Sequence, residues 1–390
     1  MANGSHRPHL TTVRREGDQV TPLELFFDLV FVLAITQCTS LMADDPTWRG
    51  LAKGLLVLGV LWWSWVGYAW LTSVVDPEAG AVRIVMFGAM AGLLVVGLAV
   101  PLAFDTHARI FAIAYGSVRA AHIALFVIAS RDQPEFRRSV VGLGIGTAVG
   151  VGLLVVASFF DGWVQGLIWV LAFALDAAEP FFFGAEGWQL MPEHFVERHG
   201  LIIIIALGES IVAIGVGAEI GVDGRVIVAA ALGIAVAAAQ WWAYFDVVAI
   251  VAGRNLAEQP LGRVRNEMAR DSYSYLHFPM VAGIVLVALG MKKTIAHVDD
   301  PLDTVPAVAL CGGAALYLIA HVAFRYRNIR SINRQRLVVA VMLLALIPVG
   351  RQVDALLTLA IVATMSAALI AYEAIRWAEA RGEIRRQVSH

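Results

Sequence analysis

The stretch His194–Gly217, HFVERHGLIIIIALGESIVAIGVG, decides how this chain folds. It opens on the polar residues His194, Glu197, Arg198 and His199. It then runs apolar for a membrane-crossing length, interrupted by Glu209 and Ser210 near its middle. About 20 apolar residues in helical conformation match the hydrocarbon core of a bilayer. A carboxylate within such a span is costly and generally faces a bundle interior or a water-filled cavity. Glu209 therefore reads first as a functional group. The plainer alternative is a hydrogen bond that bridges two helices.

The rest of the chain agrees with that stretch. Of its 390 residues 59% are hydrophobic and only 15% charged, with a mean hydropathy of +0.73. A water-soluble domain carries more charge. The apolar runs are continuous rather than alternating, which predicts an all-α polytopic transmembrane bundle and not a β-barrel. A net charge of -2 offers nothing to nucleic acid. Cys38 and Cys311 both lie inside apolar runs and read as core residues. The first 20 residues are polar and the first apolar run is long enough to span, so no cleavable leader is expected.

The pattern predicts about twelve spans. The first begins at a capping box, with Thr21 as N-cap, Pro22 behind it and Glu24 at the third position. It runs to about 42. The others fall near 51–74, 82–104, 110–130, 139–160, 163–183, 193–217, 226–251, 272–291, 305–324, 337–349 and 353–377. The segment 337–349 is short for a full crossing. A charged loop at 254–271 reads as partly helical. The organisation is a tail at 1–20, a six-helix half at 21–183, a linker at 184–192, a second half at 193–377 and a tail at 378–390. Lys and Arg concentrate on the tails and the even-numbered loops, which predicts a multi-pass protein of the cytoplasmic membrane with both termini cytoplasmic. The basic clusters at 254–270, 325–336 and 376–386 read as topology signals beside anionic lipid.

The two halves suggest a parallel duplication. Trp62-Trp63 aligns with Trp241-Trp242, Ala91-Gly92 with Ala282-Gly283, Ala121-His122 with Ala320-His321, and Glu179 with Glu373, all in the same helix order.

Few polar residues fall inside the spans. Glu24 and Asp28 lie one turn apart on one face. The capping box accounts for Glu24, whereas Asp28 sits among apolar neighbours. Tyr115, Arg119 and His122 share a face, and Arg119 needs an acidic partner because it cannot lose its charge. Asp28, Asp176 and Glu209 are the candidates. Asp176 and Glu179 lie one turn apart before Pro180. The carboxylates outnumber Arg119, so the interior binds protons, attracts a cation or opens to water. The expectation is one wet pocket, open toward the cytoplasm, that gathers Glu24, Asp28, Arg119, His122, Asp176, Glu179, His194, Glu197, Arg198, Glu209 and Ser210. His194 and Glu197 at i, i+3 could share a metal, but no second matching set exists, so no metal or cofactor is expected.

TPLELFFDLVFVLAIT at 21–36 and HFVERHGLIIIIALGESIVAIG at 194–215 resemble the bacterial low temperature requirement protein A family over nearly the whole chain. The resemblance implies a polytopic membrane protein without a settled molecular activity. It draws attention to Glu24, Asp28, His194, Glu197, Arg198, Gly208, Glu209 and Ser210. His199 departs from the pattern, where an aromatic residue is usual. Two readings follow from the residues. One is proton- or cation-coupled transport of a small solute. The other is an intramembrane enzyme acting on a lipid-borne substrate at His194, Glu197, Arg198 and Glu209, with a non-catalytic scaffold or sensor beside it. Membrane lipid and a small solute or ion are the expected partners, and assembly with a second copy stays open.

Overall fold

The computed structural model describes residues 19–182, 187–188 and 190–386. Most of the predicted tail at 1–20, much of the linker at 184–192 and the last residues of the tail at 378–390 lie outside the described residues.

The first half comprises α1 (Pro22–Asp44), α2 (Trp48–Thr72), α3 (Gly80–Ala99), α4 (Ala108–Ala129), α5 (Pro134–Ala157) and α6 (Gly162–Phe182). The second comprises α7 (Pro192–Gly217), α8 (Gly224–Phe245), α9 (Val248–Glu258), α10 (Arg263–Ala269), α11 (His277–Ala296), α12 (Thr304–Ala307), α13 (Gly313–Ile329), α14 (Arg334–Gly350), α15 (Ala355–Arg376) and α16 (Ala378–Arg386). Turns of π-helix at Arg270–Tyr275 and Val308–Gly312 join α10 to α11 and α12 to α13. Among the described residues, eleven helical segments are long and apolar enough to cross a membrane. The predicted segment 337–349 is α14, a 17-residue helix, about 26 Å long at 1.5 Å per residue.

Local chemistry explains the helix starts. Thr21 Oγ1 accepts the Glu24 amide at 3.4 Å while Glu24 Oε2 accepts the Thr21 amide at 2.9 Å, which closes the predicted capping box. One boundary differs from the sequence reading. The span expected at 226–251 breaks at Val247, where φ is -140°, next to Asp246, which keeps helical angles and pairs with Arg381 of α16 at 2.5 Å and with Arg385. The loop expected at 254–271 holds the end of α9 and all of α10.

The outer surface is apolar. Ile84, Ile113 and Val341 are each about two-thirds exposed, the surface a bilayer covers and water does not. α2 and α11 form the interior, with Trp62, Trp65 and Tyr68 fully enclosed. α11 and α13 cross closely at Gly283 and Gly313. A Cβ on Gly313 would stand 2.8 Å from the Gly283 carbonyl and 2.7 Å from Leu286 Cβ, the small-residue contact that membrane helices favour.

Within the first half α1 packs with α2, α1 with α3, α3 with α4, α4 with α5, α5 with α6, α2 with α6, and α2 with α4. The counterparts of the first six of these pack within the second: α7 with α8, α7 with α11, α11 with α13, α13 with α14, α14 with α15, and α8 with α15. The halves meet unequally, since α1 and α2 both rest on α7 and α11.

α1 and α7 run parallel and in register. Glu24 meets His194, Asp28 meets Arg198, and Thr36 meets Glu209. Val20 bonds Glu197, Val196 packs beside Gly253, and Arg254 donates to the Ile384 carbonyl. Residues 20 and 384 therefore share one end of the bundle, referred to below as the base.

Candidate functional site

The parallel α1–α7 pairing builds a charged cluster at the seam between the halves. His194 and Arg198 lie one turn apart on α7, facing Glu24 and Asp28 one turn apart on α1. His194 Nε2 is 2.8 Å from Glu24 Oε1. Arg198 Nη2 donates to Asp28 Oδ1 at 2.9 Å, and Nη1 stands 3.5 Å from Glu24 Oε1. α2 adds the remaining partners: Trp65 Nε1 donates to Asp28 Oδ1 at 2.9 Å, and Ser73 Oγ lies 3.1 Å from His194 Nδ1. The Arg198 guanidinium also sits over the Trp65 ring at 5.6 Å. Glu24, Asp28, His194 and Arg198 are all 0% exposed.

The bookkeeping of charge in this cluster is simple. Two carboxylates face one permanent cation. One proton, shared between His194 and Glu24, makes the cluster neutral; without it the cluster carries one buried negative charge. Burial makes such a change costly unless the surroundings move with it.

Glu197 does not join this cluster. It is exposed on α7 and accepts the Val20 amide at 2.9 Å. His199 is buried, with Nδ1 on the Phe195 carbonyl at 2.8 Å and its ring enclosed by Trp65, Tyr273 and His277. Among the described residues, no group of three or more His, Cys, Asp or Glu is placed to hold a metal.

A second cluster lies within the first half. Arg119 of α4 donates to Asp176 of α6 at 3.0 Å, to Thr147 of α5 at 2.6 Å and to the Trp63 carbonyl of α2 at 3.1 Å. Of its three candidate partners Asp176 is the one it meets. A cavity of about 80 Å³ opens beside it, lined by Trp63, Gly67, Arg119, His122, Glu179 and Tyr275 among others. That is room for two or three water molecules at their liquid volume of about 30 Å³ each. The His122 ring is 1% exposed, and among the described residues neither of its nitrogens has a hydrogen-bond partner. It fits because residue 67 lacks a side chain: a Cβ there would stand 2.8 Å from His122 Cε1.

Glu209 stands apart from both clusters. Its Oε2 accepts Thr36 Oγ1 at 2.5 Å, eleven residues and about 16 Å along α7 from Arg198. Ser210 beside it is buried and its hydroxyl has no partner. The single pocket expected from the sequence is thus divided into a seam cluster, an Arg119 cluster and a Thr36–Glu209 bridge. The first two flank α2, the seam cluster at Trp65 and the Arg119 cluster at the Trp63 carbonyl, while Glu209 lies further along α7.

Arg119 is not the one deeply placed cation. Arg198 is as deeply buried as Arg119. Arg336, counted among topology signals, is 6% exposed. It donates to Glu373 at 2.8 and 2.9 Å and to the Ala243 carbonyl at 3.3 Å, and its Nη1 lies 3.1 Å from His321 Nδ1. This second-half cluster echoes the first: arginine, acid, histidine and a carbonyl of the helix that carries the tryptophan pair. The signal in the sequence was the match of His122 to His321 and of Glu179 to Glu373. The arginine was hidden because it comes from α4 in one half and from α14 in the other.

These features define a multi-pass helical membrane protein that encloses its charged groups inside the bundle. The chain belongs to the bacterial low temperature requirement A protein family (LtrA), whose sequence profile matches residues 19–371. It is similar to a protein of Rhizobium meliloti (strain 1021) described as uncharacterized, with 27% identity over 328 residues that cover 80% of this chain and 78% of that protein. No solved structure matches the chain significantly.

Proposed function

We propose that the protein couples proton movement to the passage of a small solute across the cytoplasmic membrane, with both termini in the cytoplasm. The observation that carries this reading is the seam cluster of Glu24, Asp28, His194 and Arg198. It is fully buried, it joins the two halves, and one proton closes its charge. A group of that kind biases the packing of one half against the other whenever it gains or loses the proton. The cavity at Arg119, His122 and Glu179 is the solute or proton pocket in this reading. It faces the base, which is the cytoplasmic end if the excess of Lys and Arg sets the topology. The shared set of helix contacts in the two halves supports a duplicated, parallel architecture of the kind transporters use.

The alternative of an enzyme acting on a lipid-borne substrate would place His194 in a cleft open to lipid. His194 is 0% exposed and does not line the cavity at Arg119.

The test is proton flux in liposomes with the purified protein and a pH-sensitive dye inside. An imposed gradient is expected to collapse faster with wild type than with empty vesicles, and at the empty-vesicle rate with Glu24→Gln or His194→Gln. Wild-type flux at the empty-vesicle rate, or full flux in both variants, overturns the reading.

A further inference from the structure

The base of the second half holds a cavity that the transport reading does not use. It measures about 480 Å³ and lies between α8, α9, α13, α14, α15 and α16. We infer that it binds an organic anion, a carboxylate or phosphate head on an apolar body, through Arg325 and Arg334.

The charges in the lining are unequal. Arg325, Arg334, Arg336 and Arg381 face only Asp246 and Glu373. Arg336 is taken by Glu373 at 2.8 Å and Arg381 by Asp246 at 2.5 Å. Arg325 and Arg334 keep their positive charge without a carboxylate in ion-pair range among the described residues. Among the described residues Arg325 bonds the Ser331 hydroxyl alone, at 3.3 Å, and its buried Nε has no partner. Asn328, 7% exposed, also lines the cavity and leaves its Oδ1 unbonded. Guanidinium groups are permanently charged and recognise carboxylate and phosphate with paired donors.

The rest of the wall is apolar. Trp242, Val248, Val251, Ile332, Trp377 and Ile384 supply it. A volume of several hundred Å³ with apolar walls and a few convergent polar groups is the usual form of an organic ligand site. A bare inorganic ion would leave most of that wall wet. α16 closes one side, fastened by Arg381 and Arg385 on Asp246 and by Arg254 on the Ile384 carbonyl. This site stands independently of the transport reading, because none of its residues belongs to the seam or to the Arg119 cluster.

The ligand head could come from a dissolved solute or from an anionic lipid, and two arms separate these. Calorimetric titration of delipidated protein in detergent with phenyl phosphate is expected to saturate. Native mass spectrometry of protein taken from phosphatidylcholine vesicles containing phosphatidylglycerol reads lipid retention. R325Q/R334Q removes two half-exposed or exposed side chains that hold no carboxylate, so the fold is expected to survive; an unchanged thermal midpoint checks it. The expected result is at least tenfold weaker phenyl phosphate binding, loss of retained phosphatidylglycerol, or both, in R325Q/R334Q but not in Arg137→Gln, which lies outside the cavity. Phenyl phosphate binding that persists beside retained lipid identifies a dissolved ligand, and binding only after lipid removal identifies the lipid. Wild type and R325Q/R334Q alike in both arms would overturn the assignment.

Discussion

Asp176→Asn tests whether the Arg119 cluster is dry. The substitution keeps the shape of the side chain and removes its charge, which leaves the Arg119 guanidinium with neutral acceptors only: the new amide oxygen, Thr147 and the Trp63 carbonyl. At the observed 3.0 Å, two unit charges attract by about 5–6 kcal/mol at an effective dielectric of about 20, and by little more than about 1 kcal/mol in water. Breaking a buried pair from one side costs about 3–5 kcal/mol. A neutral hydrogen bond between membrane helices contributes only about 0.6 kcal/mol on average. Asp176→Asn is therefore expected to destabilise the protein by about 3–5 kcal/mol, and Thr147→Ala by about 1 kcal/mol or less. The double variant Arg119→Leu/Asp176→Leu is expected near wild type, since well-packed apolar replacements of a buried pair are often neutral. Unfolding in mixed micelles on titration with dodecyl sulfate, followed by tryptophan fluorescence, measures all three. If Asp176→Asn costs no more than Thr147→Ala, water reaches the guanidinium and the pair is screened. If the double variant costs the sum of its two singles, the pair is not a coupled buried unit.

Other outcomes follow from the same geometry. Gly67→Ala drives a methyl group into His122 and is expected to lower proton flux while the thermal midpoint falls by no more than overpacking of about 1–3 kcal/mol implies. Gly313→Ala forces α11 and α13 apart at their closest crossing and is expected to lose about 1–3 kcal/mol, read as a reduced midpoint on dodecyl sulfate titration. Cys38 and Cys311 are both 0% exposed, so maleimide is expected to label neither until the protein is unfolded. In a background lacking those two thiols, single cysteines at Gln19 and Ile384 are expected to react from one side of the membrane and a cysteine at Asp299 from the other; labelling of residues 19 and 384 from opposite sides would refute the shared base.

Much of the fold is legible in local sequence because the bilayer imposes length and continuity. Thr21, Pro22 and Glu24 announce the first helix, and they cap it as read. The break at Val247 is not legible, since the surrounding residues stay apolar and the partner of the adjacent Asp246, Arg381, lies more than a hundred residues later. Burial of charge is the least legible property. Arg198 and Arg336 both stand near helix starts, where a long basic side chain ordinarily reaches toward water. What holds them inside is an acid on another helix: Asp28 for one, Glu373 for the other. The i, i+4 spacing of His194 and Arg198 did carry the information that they share a face, but it does not exclude Glu197, whose i, i+3 spacing from His194 allows the same face. The expectation of one pocket failed for a related reason. Sequence shows which residues are polar and roughly how deep they lie, but the lateral arrangement of the helices decides which of them meet.

The seam has a consequence for how the chain is made. The first helix enters the bilayer carrying Glu24 and Asp28, and the guanidinium that neutralises them is synthesised about 170 residues later, with α7. Until then two acids lie at the start of a lipid-bound helix with no basic companion. Helices two to six can be threaded and packed on one another during that interval, but the first cannot take its final depth until the seventh arrives. Biogenesis of this protein therefore runs with its earliest segment provisional, and a fragment ending before residue 192 would be left with a helix that has no settled resting place.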